Sequence, residues 1–171
     1  AASDVYKRQG VHTGDSVTFI IPHEYTHAGR EYHWSITLDD GKDTLYSAGT
    51  LFVHFNQRSL IIDELCWGGS SRSTSDEWLE ILSLHPDTVF FEQTPLYLWH
   101  TAAGGMFSIA TEIDDGILAP GKRWLIKRFD ISTPQTAVHT TPNLVLPEFS
   151  IPDGAVLIML TDHPDTNYII D

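Results

Sequence analysis

Short apolar runs recur along this chain at intervals of about ten residues, each closed by a cluster of turn-forming residues. Helices need a sustained 3.6-residue period, so this rhythm favours antiparallel strands joined by tight connections. From residue 58 onward the predicted strands are 60–67, 78–82, 96–99, 106–110, 123–128, 143–146, 155–160 and 168–170. Gly68-Gly69-Ser70-Ser71, Asp114-Asp115-Gly116, Ala119-Pro120-Gly121, Pro152-Asp153-Gly154 and Asp162-His163-Pro164 separate them. Such residues tolerate positive φ or fix φ for a turn. Segment 76–84 is the best amphipathic helix candidate, but it is short, and its Trp78, Ile81 and Leu82 serve a strand as well.

Segments 15–21, 32–38 and 50–55 also read as strands. Val17, Phe19 and Ile21 share one face of the first, and Trp34, Ile36 and Leu38 one face of the second. Asp39-Asp40-Gly41 signals a turn after the second. About 45 residues is too few for a comfortable core of its own. Residues 10–57 therefore read as the end of a preceding β domain. Residues 1–9, AASDVYKRQ, look like translated adapter sequence and stand apart from the fold.

Composition narrows the function classes. Apolar residues make up 42% of the 171 residues, enough for a packed core and against wholesale disorder. Ten Lys and Arg face 23 Asp and Glu, a net charge of −13. That balance disfavours nonspecific binding to nucleic acid or to an anionic membrane. No apolar run approaches the ~18 residues of a transmembrane helix. Cys66 is the sole cysteine, which excludes an intrachain disulfide or a multi-cysteine zinc site. It lies in an apolar run, as a buried and inert thiol would.

His23-Glu24-Tyr25-Thr26-His27 fits the HExxH pattern, with His33 where a third ligand would stand. On a helix, His23 and His27 share a face that can hold Zn²⁺, and Glu24 can polarise its water. Here Pro22 closes a β-like run just before the motif and Ala28-Gly29 follows it. Arg30 occupies the place of the glycine in the longer zincin motif. The β context is the stronger, and a zinc hydrolase is the alternative reading.

The most specific local pattern lies at 59–81. Leu60, Ile61, Ile62, Glu64 and Trp67 are followed by Gly69, Ser70 and Ser71, then by Asp76, Glu77, Trp78 and Glu80. This order resembles the opening of the lamin tail domain, with Asp63 where asparagine is usual. Segment 118–126, with Pro120-Gly121, is similar to a later element of that family, as are 144–146, 151–160 and 168–171. At Pro95-Leu96-Tyr97-Leu98 the usual Gly-Trp pair is replaced. Upstream, His23, Tyr25, Ala28, Gly29 and Tyr32 are similar to the last hairpin of a PKD-type repeat. There Gly29 would make a tight turn, and Tyr32, Trp34 and Ile36 would feed a sandwich core.

The resemblance implies an all-β chain: an immunoglobulin-like β-sandwich of lamin-tail type over 58–171, preceded by a partial β domain at 10–57. Ending at Asp171, it would lack the last strand common in that family. It further implies a non-catalytic binding or structural module in a larger secreted or cell-surface bacterial protein. Such a module has a protein or cell-surface partner, an extracellular location, no cofactor and no catalytic or metal-ligating residue.

Large aromatic surfaces make core packing the default for Trp67, Trp78, Trp99 and Trp124. A second alternative, a carbohydrate-binding sandwich, would use Tyr97, Trp99 and Trp124 as exposed stacking platforms. Glu64, Asp76, Glu77 and Glu80 form a candidate cation or partner cluster. The competing expectation has Asp76 and Glu77 bonding loop amides while Glu64 and Glu80 face solvent. His85, His100, His139 and His163 lack ligand spacing, and Ser70, Ser71, Ser73 and Ser75 lack a nucleophile elbow.

Overall fold

The computed structural model describes residues 11–13, 16–18, 27–39, 41–101, 107–153, 155 and 157–171. Among them the secondary structure is all β, with no helix. A short hairpin of β1 (Val11–Thr13) and β2 (Ser16–Thr18) comes first. A ten-residue hairpin follows, β3 (Arg30–Asp39) against β4 (Thr44–Val53).

Beyond it lie the strands of a β-sandwich. One sheet has the order β12-β11-β6-β5, built from Leu144–Val145, Arg123–Lys127, Trp78–Ser83 and Leu60–Cys66. Its β11–β12 pair is parallel and its other pairs are antiparallel. The second sheet, antiparallel throughout, has the order β13-β8-β9, from Ile158–Thr161, Leu96–Thr101 and Phe107–Ile113. The pair β7 (Val89–Phe90) and β10 (Ile117–Leu118) forms a third, two-stranded unit.

Alternation explains the core. Leu79 and Ile81 of β6, Trp124 and Ile126 of β11, Leu96 and Leu98 of β8, Ile113 of β9 and Leu160 of β13 join one buried cluster. Both main sheets contribute, as face-to-face packing requires. Phe91 and Phe149 fill its ends from loops, and Phe91 meets Trp124 edge to face at 5.1 Å. Strand β11 is covered on its other side too. Leu125 and Lys127, which point away from the core, are buried as well, and Lys127 Nζ donates to Val138 O in the loop that follows β11. A strand buried on both faces loses the period-2 signature.

Segment 76–84, the helix candidate, is strand β6, buried at every second residue. The strand expected at 168–170 is reduced to a single bridge between Thr161 and Ile169. Its backbone and the Asp171 side chain that follows are bonded to both sides of the sandwich instead. Ile170 O accepts from Arg58 N, Ile170 N donates to Leu160 O, and Asp171 Oδ2 accepts from Ile62 N.

The tryptophans divide. Trp99 and Trp124 are buried, Trp78 is half-buried, and Trp67 is 52% exposed. The core role expected of Trp67 is therefore corrected. It follows the end of β5 and lies beyond the covered part of the sheet.

Candidate functional site

The β3–β4 hairpin separates its side chains by chemistry. Register pairs Tyr32 with Leu51, Trp34 with Gly49, Ile36 with Ser47 and Leu38 with Leu45. Directly paired residues share a face, so these side chains form one strip with Arg30 and Val53 at its base. The opposite face carries Glu31, His33, Ser35, Thr37 and Asp39 against Phe52, Thr50, Ala48, Tyr46 and Thr44, mostly polar with Phe52 near its base. Gly49 is required where it stands, because a Cβ there would lie 2.8 Å from the Trp34 indole. The indole thus lies across the neighbouring strand and flattens the centre of the strip.

Nothing covers that strip among the described residues. Trp34 is 38% exposed, Leu38 41%, Leu51 46% and Leu45 65%. Sheet pairing joins β3 and β4 only to each other. This corrects the expectation that Tyr32, Trp34 and Ile36 enter a sandwich core. The strand expected at 50–55 instead begins at Thr44, because the turn fixes register. In that turn Gly41 has φ +82°, and its amide donates to Asp39 Oδ1 at 2.8 Å.

Two latches hold the base of the hairpin. At the first, Gly29 turns with φ +75°, and a Cβ at this position would collide with Thr94 Cγ2. The His27 amide donates to Tyr32 Oη, and His27 Nδ1 lies 3.6 Å from Asp87 Oδ2. A cleft of about 390 Å³ opens here, lined by His27, Arg30, Phe55, His85, Asp87 and Thr94 among others. At the second, the buried Asp162 carboxylate accepts the Phe55 amide at 2.7 Å and lies 3.0 Å from His54 Nδ1. Tyr168 stacks on the His54 ring at 3.8 Å, and His163 meets both rings edge-on.

Of the HEYTH motif, His23, Glu24, Tyr25 and Thr26 lie outside the described residues. His27 precedes the Gly29 turn, and His33 sits on the polar face of β3 opposite Thr50. No group of three or more His, Cys, Asp or Glu residues is placed to hold a metal ion among the described residues. No helix among them is long and apolar enough to cross a membrane.

The acidic cluster at 76–80 is engaged in the sandwich. Asp76 is fully buried, and its Oδ2 accepts the Ala137 amide at 2.7 Å. Burial pushes this carboxyl up, but hydrogen bonds from Ser70, the Ala137 amide and Thr136, together with the Lys127 charge, hold it below its usual range. Lys127 is also fully buried and donates from Nζ to Val138 O at 2.6 Å. Desolvation lowers its pKa, against the opposing pull of Asp76 and Asp130. Both side chains thus converge on loop 136–138, which closes over the outer face of β11.

Glu77 pairs with Arg128 at 3.2 Å. Glu80 and Asp63 both pair with Arg123, at 2.8 and 2.7 Å, and Asp63 stands at the bulge between Ile62 and Glu64. Only Glu64 of the cluster is exposed. Asp76 therefore does the loop-bonding work expected of it, whereas Glu77 pairs with the Arg128 side chain and Glu80 is held in an ion pair instead of facing open water. Tyr97 is half-buried, while Trp99 and Trp124 are buried and Trp99 Nε1 donates to Thr161 Oγ1 at 2.9 Å. Burial removes these rings as an exposed stacking platform.

Sequence reading placed the apolar strip on a common face but assigned it to a core. The signal that could have found its exposure is the strand opposite, where Ser47 and Gly49 carry too little surface to build a second core layer. No protein-family model matches the chain, and neither a curated protein nor a solved structure matches it.

Proposed function

We propose that this chain is a non-catalytic binding module, a lamin-tail-like sandwich that attaches a larger secreted or cell-surface protein to a protein partner. One observation carries the reading: the β3–β4 hairpin presents an apolar strip that no described residue covers, while its other face is mostly polar. Large uncovered apolar patches on soluble proteins mark contact surfaces. The buried Asp76, Glu77 and Lys127 are tied to main chain or to Arg128 within the sandwich, so the hairpin strip supports the reading better than the acidic cluster does.

Photo-crosslinking in the producing cells tests this, with a photoreactive side chain at Leu45 on the apolar strip or at Tyr46 on the polar face. Crosslinks to protein from position 45 and not from 46 are expected. Equal yields from both positions, or none from 45, contradict the reading. Metal analysis tests the non-catalytic part: stoichiometric zinc that disappears in His23→Ala would make the chain a metalloenzyme.

A further inference from the structure

We infer that the cleft between the hairpin base and the sandwich binds a carboxylate joined to an apolar group, offered by a peptide segment of the protein partner. This rests on the reading of the chain as a protein-binding module and names a contact at the foot of the strip. The cleft holds about 390 Å³, which falls within the ~300–1,000 Å³ of ligand clefts.

One wall carries an unanswered charge. Arg30 opens β3, lines the cleft and is half-buried, and no acidic side chain pairs with it among the described residues. The other half-buried arginine among them, Arg128, pairs with Glu77 at 3.2 Å. In a chain with 23 Asp and Glu against ten Lys and Arg, a sheltered guanidinium without a carboxylate stands out. Its planar fork of donors matches a carboxylate in two parallel hydrogen bonds.

A buried hydroxyl stands beside it. Thr94 is 3% exposed, yet it lines the cleft and its hydroxyl has no hydrogen-bond partner among the described residues. Buried polar groups are seldom left in that state, and a ligand oxygen would complete this one. Tight packing fixes its place, since a Cβ at Gly29 would collide with Thr94 Cγ2.

The remaining wall is apolar, with Ala28, Phe55, Val89 and Phe90. Phe55 and Val89 belong to the buried core, so this surface is formed before any ligand arrives. It suits an apolar group next to the carboxylate, and an inorganic anion would leave it unused.

Asp87 is the acidic residue in the lining. Its side chain is 57% exposed, and its Oδ2 lies 3.6 Å from His27 Nδ1, so its repulsion of an anion is screened. Glu31, next to Arg30 in sequence, is on the opposite face of the hairpin. A signature follows: neutralising Asp87 should tighten a carboxylate ligand, whereas it would weaken a cationic one.

Amide NMR of the whole chain, titrated to ~10 mM, tests this with short peptides. One is N-acetylated glycyl-leucine with a free terminal carboxylate, and a second is its terminal amide. A third, capped at both ends, carries an internal glutamate beside leucine. A carboxylate probe should shift the amides of Ala28, Val89 and Thr94 with a Kd on the order of 1 mM. The neutral amide should bind about tenfold more weakly or not at all. Stronger binding by the first probe assigns a chain end as the natural group, and by the third an acidic side chain.

Arg30→Gln should weaken binding about tenfold, and Asp87→Asn should strengthen it about twofold. Unchanged amide positions in β6 and β11 confirm that each variant is folded. The inference is overturned if neither carboxylate probe shifts these amides, or if the neutral peptide binds equally. Binding that survives Arg30→Gln, or weakens in Asp87→Asn, also overturns it. If the probes fail while position 45 still crosslinks to protein, the binding module stands and the carboxylate site falls.

Discussion

The hairpin of β3 and β4 and the sandwich beyond it are written in the same alternating pattern, yet one buries its apolar side chains and the other displays them. In the sandwich, Leu79 and Ile81 of one sheet meet Leu96, Leu98 and Leu160 of the other, and all are inaccessible to water. In the hairpin, Trp34, Leu38, Leu45 and Leu51 alternate as regularly but have no described layer above them. Period-2 alternation thus specifies a face, and only a second sheet turns that face into a core. The polar groups differ in the same sense. Buried Asp76, Lys127 and Asp162 are each bonded to main chain in or beside the sandwich, whereas the hairpin carries its charges on its far face, at its tip and, with Arg30, at its base.

The comparison breaks most sharply at the sandwich core. Trp124 fills space between Phe91 and the sheet, so Trp124→Ala should cost about 4 kcal/mol in urea unfolding. A loss under 1 kcal/mol would mean that this core is no better packed than the hairpin. Asp76→Asn should cost about 3 kcal/mol, because it leaves buried Lys127 without its neighbouring negative charge.

That substitution also fixes a pH dependence. Asp76 has a folded pKa below its unfolded value of 3.8, so its stabilising contribution is present above that value. The contribution is lost as pH falls through the lower, folded pKa. The stability gap between wild type and Asp76→Asn should therefore be full at neutral pH and shrink below pH 3.8. A gap that is constant down to strong acid would show that the charge of Asp76 is irrelevant.

At the joint between the two regions, Asp162→Ala deprives the Phe55 amide and His54 of their shared acceptor, at a cost of about 2 kcal/mol. Proteolysis should then cut faster near residues 54–56 than within β6 or β11. The smallest effect belongs to the hairpin strip. Leu45→Ser should change stability by less than about 0.5 kcal/mol, since that side chain is 65% exposed. A larger loss would reveal a covering layer.

How much of this was legible in the sequence follows from the same physics. Strands β5, β6, β8 and β11 could be placed because five to seven residues alternate or run apolar between unmistakable turns. Strands β7 and β10 have only two residues each, too few to carry a period. The start of β4 was hidden because Ser47 and Gly49 occupy inward positions of the strip. Asp76 could be read as a loop-bonding residue, yet the closeness of Lys127 to it and of Arg128 to Glu77 depends on the neighbour that β11 happens to be. Exposure of the strip could not be read from β3 at all, since Trp34, Ile36 and Leu38 look the same whether or not a sheet lies above them.

Amide hydrogen exchange tests the central contrast most directly. Strands β6, β8 and β11 should exchange only through global unfolding, while β3 and β4 exchange orders of magnitude faster. Equal protection of hairpin and sandwich would contradict a strip that no described residue covers.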